Sequence, residues 1–148
     1  MAKFPLYIAL CVSLIYYSLA TAANPRLEIL GEGEYAIYSR EDIRHHLIDK
    51  KISSGIGFIY YTNSANAVAL RTQFDNIDGE SIMLRGLSAK EVFKKLGYSE
   101  VSASGDMYCG YSPRGLTFIK NGQKKINLQV VERANSVVVG WPVILGSY

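Results

Sequence analysis

Leu116-Thr117-Phe118-Ile119-Lys120-Asn121-Gly122-Gln123-Lys124-Lys125-Ile126-Asn127-Leu128-Gln129-Val130-Val131 is the strongest local statement in the chain. Two runs of β-forming residues, Leu116 to Lys120 and Ile126 to Val131, flank an Asn-Gly pair. Asn121-Gly122 suits a type I′ turn, because both central positions need positive φ and the turn's twist matches that of the strands. A hairpin is therefore expected. A second turn near Ala134-Asn135 leads to Val137-Val138-Val139 and then to Val143-Ile144-Leu145, so this end of the chain reads as sheet.

Upstream, Ser88 and Glu91 form a capping box, with Leu87 and Val92 spaced as its hydrophobic staple. A helix is expected over 88–96, with Leu96 on its buried side and Gly97 as its terminator. A second helix is expected from Ser39 to Lys51. Asp42 gives a weak capping box, Glu41 and Asp42 suit the positive end of the helix dipole, and Lys50 and Lys51 suit the negative end. Ile43, His46 and Leu47 share one face of that helix. Leu27–Leu30, Tyr35–Tyr38, Gly57–Thr62 and Ser81–Leu84 read as strands. Residues 64–74 fit either a helix capped at Asn63 or Ser64 or the arm of a hairpin. The sum is an α+β fold, an antiparallel sheet of about five strands with two helices packed on one face.

Composition agrees with a packed domain. Of the 148 residues, 49% are hydrophobic and 20% charged, which excludes wholesale disorder. No repeat, low-complexity tract or linker divides residues 23–148, so one domain is expected there. Its start is set by a leader. Lys3 supplies a positive end, Leu6 to Leu19 is uncharged and apolar, and Ala20-Thr21-Ala22 fits signal peptidase, whose shallow pockets take alternate small side chains. Residues 1–22 thus read as a signal peptide cut between Ala22 and Ala23, which makes the mature chain extracytoplasmic. An uncleaved N-terminal membrane anchor over Phe4–Ala23 is the alternative, although Pro5, Ser18 and Thr21 make a poor span. Outside the cytoplasm Cys109 is the lone thiol, since Cys11 leaves with the leader; a disulfide framework is excluded.

Charge is unevenly placed. The chain carries +3, or +2 without Lys3. Residues 23–80 hold six Lys/Arg against nine Asp/Glu, whereas 81–148 hold nine against four. Lys90, Lys94, Lys120, Lys124 and Lys125 give the second half its character, joined by Lys95. Outside a cell, such a basic face points to an envelope polyanion, an anionic lipid or an envelope protein as partner. Tyr108 and Tyr111 beside it supply flat amphipathic surface, as do Tyr60 and Tyr61 elsewhere. The ordinary alternative is a solvated helix face and a charged hairpin tip.

Catalytic constellations are weak. His45 and His46 are adjacent, so on a helix they point about 100° apart and cannot chelate one ion together. Asp75, Asp78 and Glu80 lack the alternating offsets of a calcium loop and read as a polar turn. Glu32 and Glu34 flank Gly33 as a solvent-facing edge would, though glycosidases also use paired carboxylates. G-x-S-x-G, Walker and Rossmann patterns are absent. No cofactor, metal or catalytic residue is assigned. A Cys109 nucleophile with His45 or His46 as base stays open as an envelope-hydrolase alternative.

Gly110-Tyr111-Ser112-Pro113-Arg114, Lys125-Ile126-Asn127-Leu128-Gln129-Val130, Val139-Gly140-Trp141-Pro142-Val143-Ile144 and Tyr148 resemble the end of YwmB-type proteins. These are secreted or membrane-anchored proteins of Gram-positive, largely spore-forming bacteria, with a TATA-box-binding-like fold. The similarity is strongest over about the last 40 residues; before them only the strand–helix–sheet order agrees, and this chain is shorter than the family members. The resemblance implies an α+β sheet with helices on one face and a link to sporulation. It supplies no catalytic residue. It does not imply DNA binding, because export removes the chain from the genome and a charge of +2 is modest for counterion-release binding. The expectation is a non-catalytic interaction protein of the bacterial cell envelope, with association at a membrane surface among its modes and no nucleic-acid partner.

Overall fold

A computed structural model describes residues 24–115 and 117–146. The leader lies outside them. Among the described residues ten strands form: β1 Glu34–Ser39, β2 Lys50–Ser54, β3 Gly57–Asn63, β4 Gly79–Leu84, β5 Ser99–Ser104, β6 Met107–Tyr111, β7 Ile119–Asn121, β8 Lys124–Ile126, β9 Leu128–Glu132 and β10 Val137–Trp141. Two helices, α1 Ser64–Arg71 and α2 Ala89–Leu96, interrupt them. Eight strands make one antiparallel sheet in the order β2-β3-β1-β4-β10-β9-β6-β5, and β7-β8 stands apart as a two-stranded sheet. The expected sheet of about five strands carrying two helices is therefore wrong: the domain is mostly sheet, and its helices are eight residues each.

The missing strands are hairpin arms. Ser54 pairs with Gly57 across Gly55-Ile56, and Ser104 pairs with Met107 across Gly105-Asp106. Asn121 pairs with Lys124 across Gly122-Gln123, one residue later than the Asn-Gly turn read from sequence. In all three loops a glycine comes first with φ near +60°, a conformation that side chains resist. Short polar strands such as Ser99–Ser104 show no hydrophobic alternation, so periodicity alone misses them.

Three other elements differ from expectation. Leu27–Leu30 is a single 3-10 turn, burying Leu27 and Leu30 at the three-residue spacing of that helix. The expected helix from Ser39 is an irregular crossing. The Ile43 N–H donates to the Tyr60 hydroxyl, and the Thr62 hydroxyl donates to the Leu47 carbonyl. Side chains of β3 thus occupy backbone groups that a helix would satisfy internally. Glu41 accepts from the Asp75 and Asn76 amides instead of serving a helix N-terminus, and Lys50 and Lys51 begin edge strand β2. Residues 64–71 take the helical option, with Asn63 accepting from the Asn66 amide at 2.9 Å.

The α2 capping box is present. Ser88 accepts from the Glu91 amide while the Glu91 carboxylate accepts from the Ser88 amide and hydroxyl, and the bonds it accepts hold that carboxyl below its ordinary range. Gly97 ends the helix in the left-handed region. Alternate residues of the central strands, among them Tyr35, Ile37, Tyr60, Ile82, Val139 and Trp141, meet Leu70 of α1 and Val92 of α2 in one core. The opposite face is crossed by residues 142–146, so Val143-Ile144-Leu145, which the sequence reads as sheet, is an irregular segment instead. The Ile144 amide donates to Gln129 Oε1 at 3.1 Å and the Leu145 amide to the Ser81 hydroxyl at 2.7 Å.

Candidate functional site

Sequence halves become halves of the sheet. Strands β1 to β4 are contiguous on one side, and β5, β6, β9 and β10 are contiguous on the other. The charge asymmetry along the chain is thereby laid out across the molecule. The two sides also treat their cations differently. In the first, Arg40 pairs with Asp78 at 3.2 Å, Lys51 with Asp42, and Arg71 with both Glu28 and Glu80. In the second, no Lys or Arg forms an ion pair among the described residues, and Lys90, Lys94, Lys95, Lys120, Lys124 and Lys125 are all exposed.

Helix α2, which carries Lys90 and Lys94, packs on β9 and β5, while the β7–β8 hairpin abuts β6. Lys124 reaches back to donate to the Val101 carbonyl of edge strand β5 at 2.7 Å. Lys120 and Lys125 face each other in register, and Lys125 Nζ lies 4.5 Å from the Phe118 ring centroid. Tyr108 is half-buried against the core, and Tyr111 is half-buried at the end of β6. The five candidate lysines thus lie on two elements flanking the outer strands, with the tyrosines set back from them.

The remaining candidates are dispersed. Cys109 is 6% exposed on β6. His45 is half-buried and His46 exposed in the crossing before β2, their rings 4.3 Å apart. From β2 to β6 the sheet runs six interstrand steps, roughly 29 Å at the usual strand spacing, so the nucleophile–base pair left open by the sequence is not assembled. Asp78 is committed to Arg40, and Glu80 lies in β4 rather than in a turn; among the described residues no group of His, Cys, Asp and Glu is placed to hold a metal ion. Glu32 and Glu34 line a shallow cleft of about 370 Å3 with Arg85, Asn135 and Ser136.

A partly buried ionic cluster escaped the sequence reading. Arg71 donates Nη1 and Nη2 to the Glu28 carboxylate, Nη2 also to the Tyr35 hydroxyl at 2.8 Å, and Nε to Glu80 at 2.8 Å. Burial pushes the Glu80 carboxyl above its ordinary value against the pull of Arg71. Burial also raises Glu28, but there the Arg71 hydrogen bonds win and the carboxyl ends lower. The Tyr35 phenol is raised, by burial first and then by Glu80's charge. Strand parity carried the signal: Glu80 stands two and four residues before Ile82 and Leu84, on the core side of β4.

No family model, curated protein or solved structure matches this chain. Among the described residues no helix is long and apolar enough to cross a membrane.

Proposed function

We propose that the protein is an extracytoplasmic, non-catalytic binding protein of the bacterial cell envelope, whose basic half docks an anionic envelope component. The observation carrying this reading is the contrast between the two halves. Cations of the first are partly neutralised within the fold, whereas the lysines of the second stand exposed without acidic partners among the described residues. A surface in which exposed lysines outnumber acidic residues, here nine Lys/Arg against four Asp/Glu over 81–148, focuses positive potential and draws polyanions, more strongly at low salt. The extracytoplasmic setting rests on the leader pattern of residues 1–22, and the link to sporulation on the YwmB-type resemblance.

Changing Lys120, Lys124 and Lys125 together to glutamate is expected to abolish sedimentation with cell-wall or anionic-lipid preparations in low salt. Unchanged binding would remove the proposal. N-terminal sequencing of the exported protein, with Ala23 expected first, tests the compartment.

A further inference from the structure

The β7–β8 hairpin is built against its own interest. Lys120 and Lys125 are direct cross-strand partners, Lys124 precedes Lys125 opposite Asn121, and no acidic residue lies between 118 and 126. Like charges opposite one another destabilise a hairpin, and a two-stranded ribbon is marginal even without that cost. Every residue of β7 is exposed. Register puts Lys120 and Lys125 on one face, and Phe118 joins them there, 39% exposed with the Lys125 ammonium over its ring. Ile119, on the other face opposite the buried Ile126, is still 37% exposed. An aromatic ring without a polar handle, held outward beside Lys120 and Lys125, wants an apolar phase and an anionic layer together; Lys124 is on the other face and donates to the Val101 carbonyl.

Resting on the envelope-binding reading, we propose that this hairpin is a shallow membrane-docking element for bilayers containing anionic lipid. Phe118 enters the boundary between headgroups and acyl chains. Lys120 and Lys125, whose stems can lie along apolar surface while their ammonium groups stay hydrated, hold the phosphates. Depth is limited by the backbone. Among the described residues no further strand pairs with the hairpin, so its outer N–H and C=O groups need water or headgroups and cannot enter hydrocarbon. A soluble polymer would use the lysines alone and leave the ring idle.

The test uses the full chain with phosphatidylcholine vesicles, the same vesicles containing phosphatidylglycerol, and soluble polyphosphate. Binding to the anionic vesicles is expected, with Phe118→Ser weakening it about tenfold, Phe118→Leu restoring it, and polyphosphate affinity equal in all three proteins. Removing one lysine weakens vesicle binding about fivefold. In Phe118→Trp, brominated lipid quenches the new emission, while Trp141, 1% exposed, stays as background. Anionic vesicles binding Phe118→Ser as well as the parent, or polyphosphate binding without vesicle binding, overturns the membrane element and leaves the envelope-polyanion reading standing. Failure of the parent to bind either probe overturns both.

Discussion

Arg71 Nε lies 2.8 Å from Glu80 Oε1, with the Glu80 side chain only 2% exposed. The same guanidinium grips Glu28 through two further hydrogen bonds, tying helix α1 to β4 and to the N-terminal 3-10 turn. Arg71 is the hub: one planar fork supplies donors to two carboxylates and the Tyr35 hydroxyl.

Arg71→Met keeps much of the apolar stem but leaves Glu80 buried and unpaired. Removing one member of a buried ion pair costs about 3–5 kcal/mol, because the remaining charge keeps its desolvation penalty. Urea unfolding of the variant checks this. Adding Glu80→Gln to Arg71→Met is expected to recover part of the loss; a loss below about 1 kcal/mol in the single variant contradicts the hub.

The two carboxylates act oppositely with pH. Glu80 sits above its ordinary 4.5 in the folded chain, so its contribution is fully present below pH 4.5 and fades as pH rises through the folded value. Glu28 sits below 4.5, so its contribution is present above 4.5 and fades as pH falls through its folded value. Glu80→Gln should gain stability relative to the parent as pH rises from 4.5 toward neutrality. A difference that stays flat across that range refutes the assignment.

Gly140 marks where the C-terminal segment folds onto the sheet. A Cβ there would overlap the Ile144 amide nitrogen and the Val143 carbonyl carbon, so the backbone of that segment must shift. Gly140→Ala is expected to lift residues 142–146, lose the bonds to Gln129 and Ser81, and cost about 1–3 kcal/mol. Thermal unfolding and faster amide exchange at Ile144 and Leu145 report it; exchange as slow as in the parent speaks against the clash.

Cys109 is expected to resist thiol reagents until the protein unfolds, since it is 6% exposed on an internal strand. Rapid modification of the folded chain at mildly acidic pH would instead indicate an accessible thiolate and contradict the burial of Cys109.

Local chemistry was legible wherever one side chain serves its own neighbourhood. Ser88, Glu91 and Gly97 bracket α2, and the turn near Ala134-Asn135 joins β9 to β10, because these signals act within a few residues. The misread helix from Ser39 had weaker local signals, an Asp42 capping box and a dipole-matched charge order, and Tyr60 and Thr62 overrode them from across the fold. The lysines were visible as a charge count. Their exposure, and the facing of Lys120 and Lys125, were not.

By itself the amino-acid order determined the apolar alternation, the α2 caps, the unequal charge of the halves and the glycines at the hairpin loops. Tertiary structure alone decided that eight strands share one sheet, that the acidic and basic halves lie side by side, and that Arg71 meets Glu80. The reason is range: a cap or turn is satisfied by atoms a few bonds away, whereas strand neighbours and buried charge partners are chosen by which distant surfaces exclude water together.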